Sequence, residues 1–288
     1  MSNIKKEGYL NTKDGKVWYE IYGNNSAKPP LLAVHGGPGF PHDYLQPLAN
    51  LSDERQVIFY DQLGCGKSDR PSNNRLWTLE YFVEELRNLI GHLSLDNFHL
   101  LGHSWGAMLA TEYSLKQNIK PQSLILASPL ISTPLWIKEM KRLINKLPST
   151  AQKIILDSNQ NTNNSTEYES ATDEFYNRYF FRGKNEPQSI VSARSKHGEE
   201  VYETMWGNEE FSPSGNLKSI DLTSQLPKLD IPVLFTCGRF DEATPESVRV
   251  FSGLIKNSQT KIFEKSAHFP HLEEETTYLQ TIRNFLKS

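Results

Sequence analysis

The chain has 288 residues, with 31 lysines and arginines against 34 aspartates and glutamates, a formal net charge of −3 and a charged fraction of 23%. That is the profile of a globular protein long enough for one large core with an insertion. The near balance of charge offers no basic field to attract a nucleic-acid backbone or an anionic lipid surface, so neither is an expected partner.

The opening run Met1-Ser2-Asn3-Ile4-Lys5-Lys6-Glu7 is polar and leads into no apolar stretch. It predicts neither a signal peptide nor a membrane anchor, and a cytoplasmic location is the default expectation. Without a secretory signal, Cys65 and Cys237 are expected to remain reduced.

Further along, short apolar runs alternate with longer amphipathic stretches, which predicts an α/β core with a mostly parallel sheet flanked by helices. Strands are predicted over Leu31–Val34, Val57–Tyr60, Phe98–Leu101, Ser123–Ala127, Val233–Thr236 and Thr260–Phe263, several of them apolar throughout, as strands buried on both faces are. Helices are predicted over Thr78–Leu93, Trp105–Gln117 and Tyr278–Leu286. In the first of these, Thr78 is the expected N-cap, and Tyr81, Phe82, Leu86, Leu89, Ile90 and Leu93 recur mostly at intervals of three or four. From about Ser132 to Leu226 the strand runs vanish, which predicts a helical insertion of residues 132–226 in a core made of residues 1–131 and 227–288. Within it Asn159–Ser170 is nearly devoid of apolar residues and predicts a loop.

Gly102-His103-Ser104-Trp105-Gly106 joins a predicted strand to a predicted helix. A sharp turn there would hold Ser104 as an exposed nucleophile, and the residues two before and two after it must be small because backbone passes close by. At a helix N-terminus, free N–H groups and the macrodipole favour negative charge developing beside the serine. A serine hydroxyl is a poor nucleophile at neutral pH, so it needs a base, and the base needs an orienting carboxylate. Asp241 and His268 follow Ser104 in the order serine, acid, histidine, each just past the C-terminal end of a predicted strand. The other histidines, His35, His42, His92, His99, His103, His197 and His271, either lie inside other motifs or lack that position. His268, His271 and Glu274 superficially resemble a metal-ligand cluster, but Pro270 interrupts the spacing and no second cluster completes it, so no metal or other cofactor is predicted.

His35-Gly36-Gly37-Pro38-Gly39 follows the first predicted strand and lets backbone amides point into a site. The N–H of Gly37 and that of Trp105 are the expected oxyanion hole. The segment lacks the spacing of a dinucleotide-binding loop, and its proline removes a donor. Gly64-Cys65-Gly66-Lys67-Ser68 ends like a phosphate-binding loop, but Asp61 stands where the first glycine must be, so a structural turn is expected.

Together with Asp61-Gln62-Leu63-Gly64-Cys65-Gly66-Lys67-Ser68-Asp69 and Gly238-Arg239-Phe240-Asp241-Glu242, these motifs resemble the proline iminopeptidases of the α/β-hydrolase fold. The resemblance spans nearly the whole chain. It implies serine chemistry by Ser104, Asp241 and His268, a helical cap formed by the insertion, and release of an N-terminal residue, usually proline, from small peptides with a free N-terminus. It also implies that glutamates hold the substrate's ammonium. Glu242, next to the acid, matches one, and Met205-Trp206-Gly207-Asn208-Glu209-Glu210-Phe211 matches the cap motif, pointing to Glu210 with Glu209 as the alternative. Trp105 is expected to wall the proline pocket. Ala107 departs from the family, which often has glycine there. An amidase, esterase or lactonase with the same triad, and a binding protein that keeps the fold, remain as rival readings.

Overall fold

The computed structural model describes residues 5–24, 27–156 and 165–287. Its strands are β1 (Lys5–Asn11), β2 (Lys16–Tyr22), β3 (Leu31–Val34), β4 (Val57–Tyr60), β5 (His99–His103), β6 (Ser123–Ala127), β7 (Val233–Gly238) and β8 (Ser258–Phe263). They form one sheet in the order β1-β2-β4-β3-β5-β6-β7-β8. Pairing is parallel from β4 to β8, and the β1–β2 hairpin joins antiparallel at the β4 edge. Strands β3 to β7 are buried at every position, so side chains alternate between two apolar layers. Leu32, Val34, Ile58, Leu100 and Leu126 face one layer, and Leu31, Ala33, Phe59, Leu101 and Ile125 face the other.

The helices are α1 (Leu79–His92), α2 (Trp105–Lys116), α3 (Thr133–Ile144), α4 (Ser149–Leu156), α5 (Thr166–Tyr179), α6 (Gln188–Ser195), α7 (Glu199–Met205), α8 (Pro245–Ser252), α9 (Pro270–Glu273) and α10 (Glu275–Phe285). Helix α1 begins as expected, with Thr78 Oγ1 accepting from Tyr81 N at 3.2 Å. Between β6 and β7 the described residues include helices α3 to α7, and the ends of that stretch meet: Thr133 N donates to Ile220 O and Leu222 N to Ile131 O.

Three differences from the sequence reading have physical causes. The β1–β2 hairpin was not expected because lysines and glutamates interrupt its alternation; Glu20 nonetheless points inward, where Lys5 Nζ at 2.6 Å and His42 Nε2 at 3.1 Å meet its carboxylate. The expected loop Asn159–Ser170 is partly helix: Ser165 Oγ accepts from Tyr168 N and starts α5, with Glu167 and Glu169 in the first turn favouring its N-terminus, while residues 159–164 lie outside the described residues. Helix α10 starts at Glu275, ahead of the apolar residues that marked it. Cys65 and Cys237 are buried and unpaired. Among the described residues no helix is long and apolar enough to cross a membrane.

Candidate active site

Strand β5 ends at His103, α2 begins at Trp105, and Ser104 between them is held at φ 56°, ψ −121°, a left-handed conformation rare outside glycine. The flanking glycines allow the turn. A Cβ on Gly102 would lie 2.2 Å from Gly106 O, and one on Gly106 would lie 2.4 Å from Val34 O. Ser104 occupies the N-cap of α2, yet its side chain makes no capping bond. Ala107 is fully buried in the turn that follows.

Past the end of β7, Asp241 is buried with its Oδ1 accepting from Ala243 N and from His268 Nδ1, both at 2.8 Å, and its Oδ2 accepting from Gly238 N at 3.3 Å. With Nδ1 donating, the neutral His268 ring carries its lone pair on Nε2. The His268 carbonyl accepts from Ser128 Oγ at 3.0 Å and from His103 Nε2 at 2.9 Å. Burial pushes the imidazole pKa down, but Asp241, Glu242 and Glu210 outweigh it and hold it above the ordinary value.

Ser104 and His268 line one cavity of about 280 Å³, together with Gly36, Gly37, Glu210 and Glu242. Its walls are aromatic, including Phe40, Trp136, Tyr176, Phe180, Tyr202 and Trp206. Trp105 is not in that wall. Its indole is fully buried and donates to Gln62 Oε1 at 2.9 Å, because the helix start turns the side chain into the core while the backbone stays at the turn.

Glu242 is 5% exposed; its Oε1 lies 3.8 Å from His268 Nε2 and its Oε2 has no hydrogen-bond partner. Burial pushes its carboxyl pKa up to about 8, with His268 pulling the other way and Glu210 and Asp241 adding to the rise. Glu210 is raised as well, by burial, against hydrogen bonds from Tyr202 and Tyr176. Tyr202 Oη donates to Glu210 Oε2 at 2.5 Å. Glu209 is not among the cavity's lining residues.

Gly37 sits at φ 111°, and a Cβ there would lie 2.5 Å from the backbone nitrogens of Gly39 and Phe40. The neighbouring amide of Gly36 is already spent on Tyr44 Oη at 2.7 Å. That hydroxyl in turn contacts His103 Nδ1 at 3.0 Å, and His103 Nε2 donates to His268 O. Burial holds His103 neutral, well below its ordinary pKa. This chain from the glycine loop to the His268 backbone was not apparent from the sequence, since neither Tyr44 nor His103 before the serine carries a signal for it.

The remaining motifs are structural. Asp61 Oδ1 accepts from His42 N and Nδ1, and Oδ2 from Lys67 N, so the amide that a phosphate loop would offer is occupied. Burial lowers the His42 pKa, but Asp61 and Glu20 raise it further, to about 9. His271 Nε2 donates to Tyr44 O, and Glu274 Oε2 accepts from Lys265 N and Ser266 Oγ, so these two do not converge with His268. Among the described residues no three histidine, cysteine, aspartate or glutamate side chains form a metal-binding group.

Comparison with known proteins places the fold and the family. A family model for the alpha/beta hydrolase fold matches residues 29–275. A proline iminopeptidase of Heyndrickxia coagulans is 42% identical over 284 residues, covering 98% of this chain and 99% of that one. Another, from Clostridioides difficile, is 38% identical over 98% of both. The crystal structure of a proline iminopeptidase from Mycobacterium smegmatis matches with a TM-score of 0.91 at 31% identity, covering 98% of each chain. The chain belongs to the proline iminopeptidase family of the α/β hydrolases.

Proposed function

We propose that the protein is a serine aminopeptidase that releases an N-terminal residue, preferentially proline, from small peptides. The observation that carries this reading is the pair Glu242 and Glu210 in the cavity of Ser104 and His268, with Glu242 Oε2 buried and unpartnered. A buried carboxylate oxygen without a donor is costly, and a substrate ammonium supplies both the donor and the opposite charge. The secondary ammonium of an N-terminal proline has two N–H donors, one for each carboxylate.

In this mechanism Ser104 Oγ attacks the carbonyl carbon of the first residue as His268 Nε2 takes its proton, and Asp241 stabilises the imidazolium. The amides of Gly37 and Trp105 donate to the oxyanion. His268 then protonates the leaving amine, and water, deprotonated by the same imidazole, hydrolyses the acyl-enzyme. Residues 132–226 act as the cap, supplying Glu210 and the aromatic walls that close the pocket beyond one residue. The reading puts the enzyme among cytoplasmic peptides with a free N-terminus.

The test is a panel of aminoacyl chromogenic amides, free and N-acetylated, assayed with chelator present, together with a fluorophosphonate probe mapped by peptide mass. Labelling of Ser104 and selective turnover of the free prolyl amide support the reading. Equal turnover of the acetylated amide would transfer it to an esterase or amidase.

A further inference from the structure

The insertion is hydrogen-bonded to the loop that carries His268. At the C-terminal end of α5, Tyr179 O accepts from Glu242 N at 3.2 Å and Phe180 O accepts from His268 N at 3.0 Å. The Phe180 ring also stacks on the imidazole, with centroids 5.8 Å apart and planes at 18°. Two residues on, Arg182 N donates to Glu273 Oε1 at 2.8 Å, while Glu273 Oε2 accepts from Ala267 N at 2.8 Å. One carboxylate therefore spans from the insertion to the residue immediately before His268. Each of its oxygens takes one backbone N–H, and bonds to an ionised acceptor are the stronger kind.

The sequence builds this bridge locally. Pro270 opens the single turn α9, which doubles the chain back so that Glu273 and Glu274 face their own loop. Glu274 closes the earlier part, taking Lys265 N at 2.9 Å and Ser266 Oγ at 2.7 Å. Glu273 closes the part that leads directly into His268.

From this geometry we propose that Glu273 is a positioning residue for the base, tying Ala267 to Arg182 so that cap and core together aim the His268 ring at Ser104. The restraints from the core act elsewhere on the same residue: Ser128 Oγ and His103 Nε2 hold its carbonyl and Asp241 holds Nδ1. Glu273 itself touches no reacting atom. The inference rests on the reading of His268 as the base.

The experiment compares Glu273→Gln, Glu274→Gln and His268→Ala with the wild type, using a prolyl amide and a plain ester, with rates divided by the active sites titrated with a fluorophosphonate. A glutamine at 273 sets its NH₂ against one of the two amides, so the bridge is broken on one side. Per titrated site, kcat of Glu273→Gln is expected to fall about 10- to 100-fold on both substrates, the scale of a catalytic group misplaced by a fraction of its reach. KM should stay within about twofold, because no substrate contact is lost. Glu274→Gln should retain most of its per-site kcat. If Glu273→Gln does not accumulate as folded protein, Glu273→Asp, which keeps the charge and is one methylene too short to span both amides, carries the same expectation. An unchanged per-site kcat, with or without a lower melting temperature, or an equal loss in Glu274→Gln, would overturn the positioning role alone. A wild-type rate in His268→Ala would overturn the reading of the base, and the positioning role with it.

Discussion

Glu242 Oε1 lies 3.8 Å from Nε2 of His268, the ring nitrogen opposite the one that Asp241 holds. The imidazole thus sits between two carboxylates, one of which orients it while the other faces the reacting side. Both favour the protonated ring, and Glu210 adds to them from the cap.

In the proposed mechanism the active base is the neutral ring, so the rate should rise with pH through the titration of His268 and need no added metal. In Glu242→Gln the carboxyl whose ionised form stabilises the imidazolium is gone. The folded pKa of His268 then falls and the ring is neutral at lower pH, so the acidic limb of kcat/KM moves down by about one pH unit, the usual scale for a neighbouring charge at this range. The profile is best measured with a plain ester, which does not use the ammonium site. A limb that moves upward would contradict the assignment, and loss of activity in chelator with recovery on adding zinc would contradict the metal-free chemistry.

Ser104→Ala should lower turnover by several orders of magnitude with an unchanged circular dichroism spectrum, and His268→Ala by a similar factor. In the proposed mechanism the two act as a unit, so the double variant should be scarcely worse than either single one, whereas additive losses would mean independent roles. Asp241→Asn should cost roughly 10³- to 10⁴-fold in kcat by favouring the wrong tautomer of His268. Near-normal kcat in that variant would point to another acid.

His42 contributes to stability in a defined pH window. Its folded pKa is raised to about 9 by Asp61 and Glu20 against the lowering effect of burial. The contribution is therefore full below the ordinary histidine value near 6.5 and lost as pH rises through 9, and its size is on the order of 3 kcal/mol. Urea unfolding of the wild type and His42→Gln at pH 6.5 and pH 9.5 isolates it from other groups that titrate in the same range. The two proteins should differ more at the lower pH; a gap that is constant or widens with pH would be inconsistent with a charged His42.

Two glycines should respond in opposite directions to alanine. Gly106→Ala drives a Cβ to 2.4 Å from Val34 O, a backbone atom that cannot step aside, and should cost at least about 1–3 kcal/mol. Gly91 lies in α1 with nothing within 4 Å of an added Cβ, so Gly91→Ala should stabilise by about 0.5–1 kcal/mol. Thermal melts of the two variants decide both.

The parts of the fold legible in the sequence are those where burial leaves a compositional trace. Strands β3, β4 and β6 were located to the residue because both of their faces are covered, and β7 only ran on to Gly238. Strand β8 is exposed from Gln259 to Lys261, and its first two residues, Ser258 and Gln259, left no apolar signal. The sharp turn around Ser104 was legible because close backbone restricts Gly102 and Gly106 to glycine. The bonds of Tyr179 and Phe180 to the Glu242 and His268 amides were not, since a carbonyl oxygen belongs to every residue. Likewise the charge on His42 depends on Glu20 in β2 and Asp61 just past β4, far apart in the sequence and brought together by the fold. Trp105 was misjudged because its place in a motif fixes its backbone and says little about its indole.

The most direct test of the central claim is kcat/KM for prolyl amide, N-acetylprolyl amide and a plain ester in wild type, Glu242→Gln and Glu210→Gln. Each variant should lose about 1–3 kcal/mol of transition-state stabilisation on the free prolyl amide, the range for a lost charged hydrogen bond, while the ester rate at its own pH optimum stays close to wild type. The acetylated amide should be a poor substrate for all three proteins. Cleavage of the acetylated amide as fast as the free one, or equal slowing of the ester in both variants, would contradict recognition of the substrate ammonium by this glutamate pair.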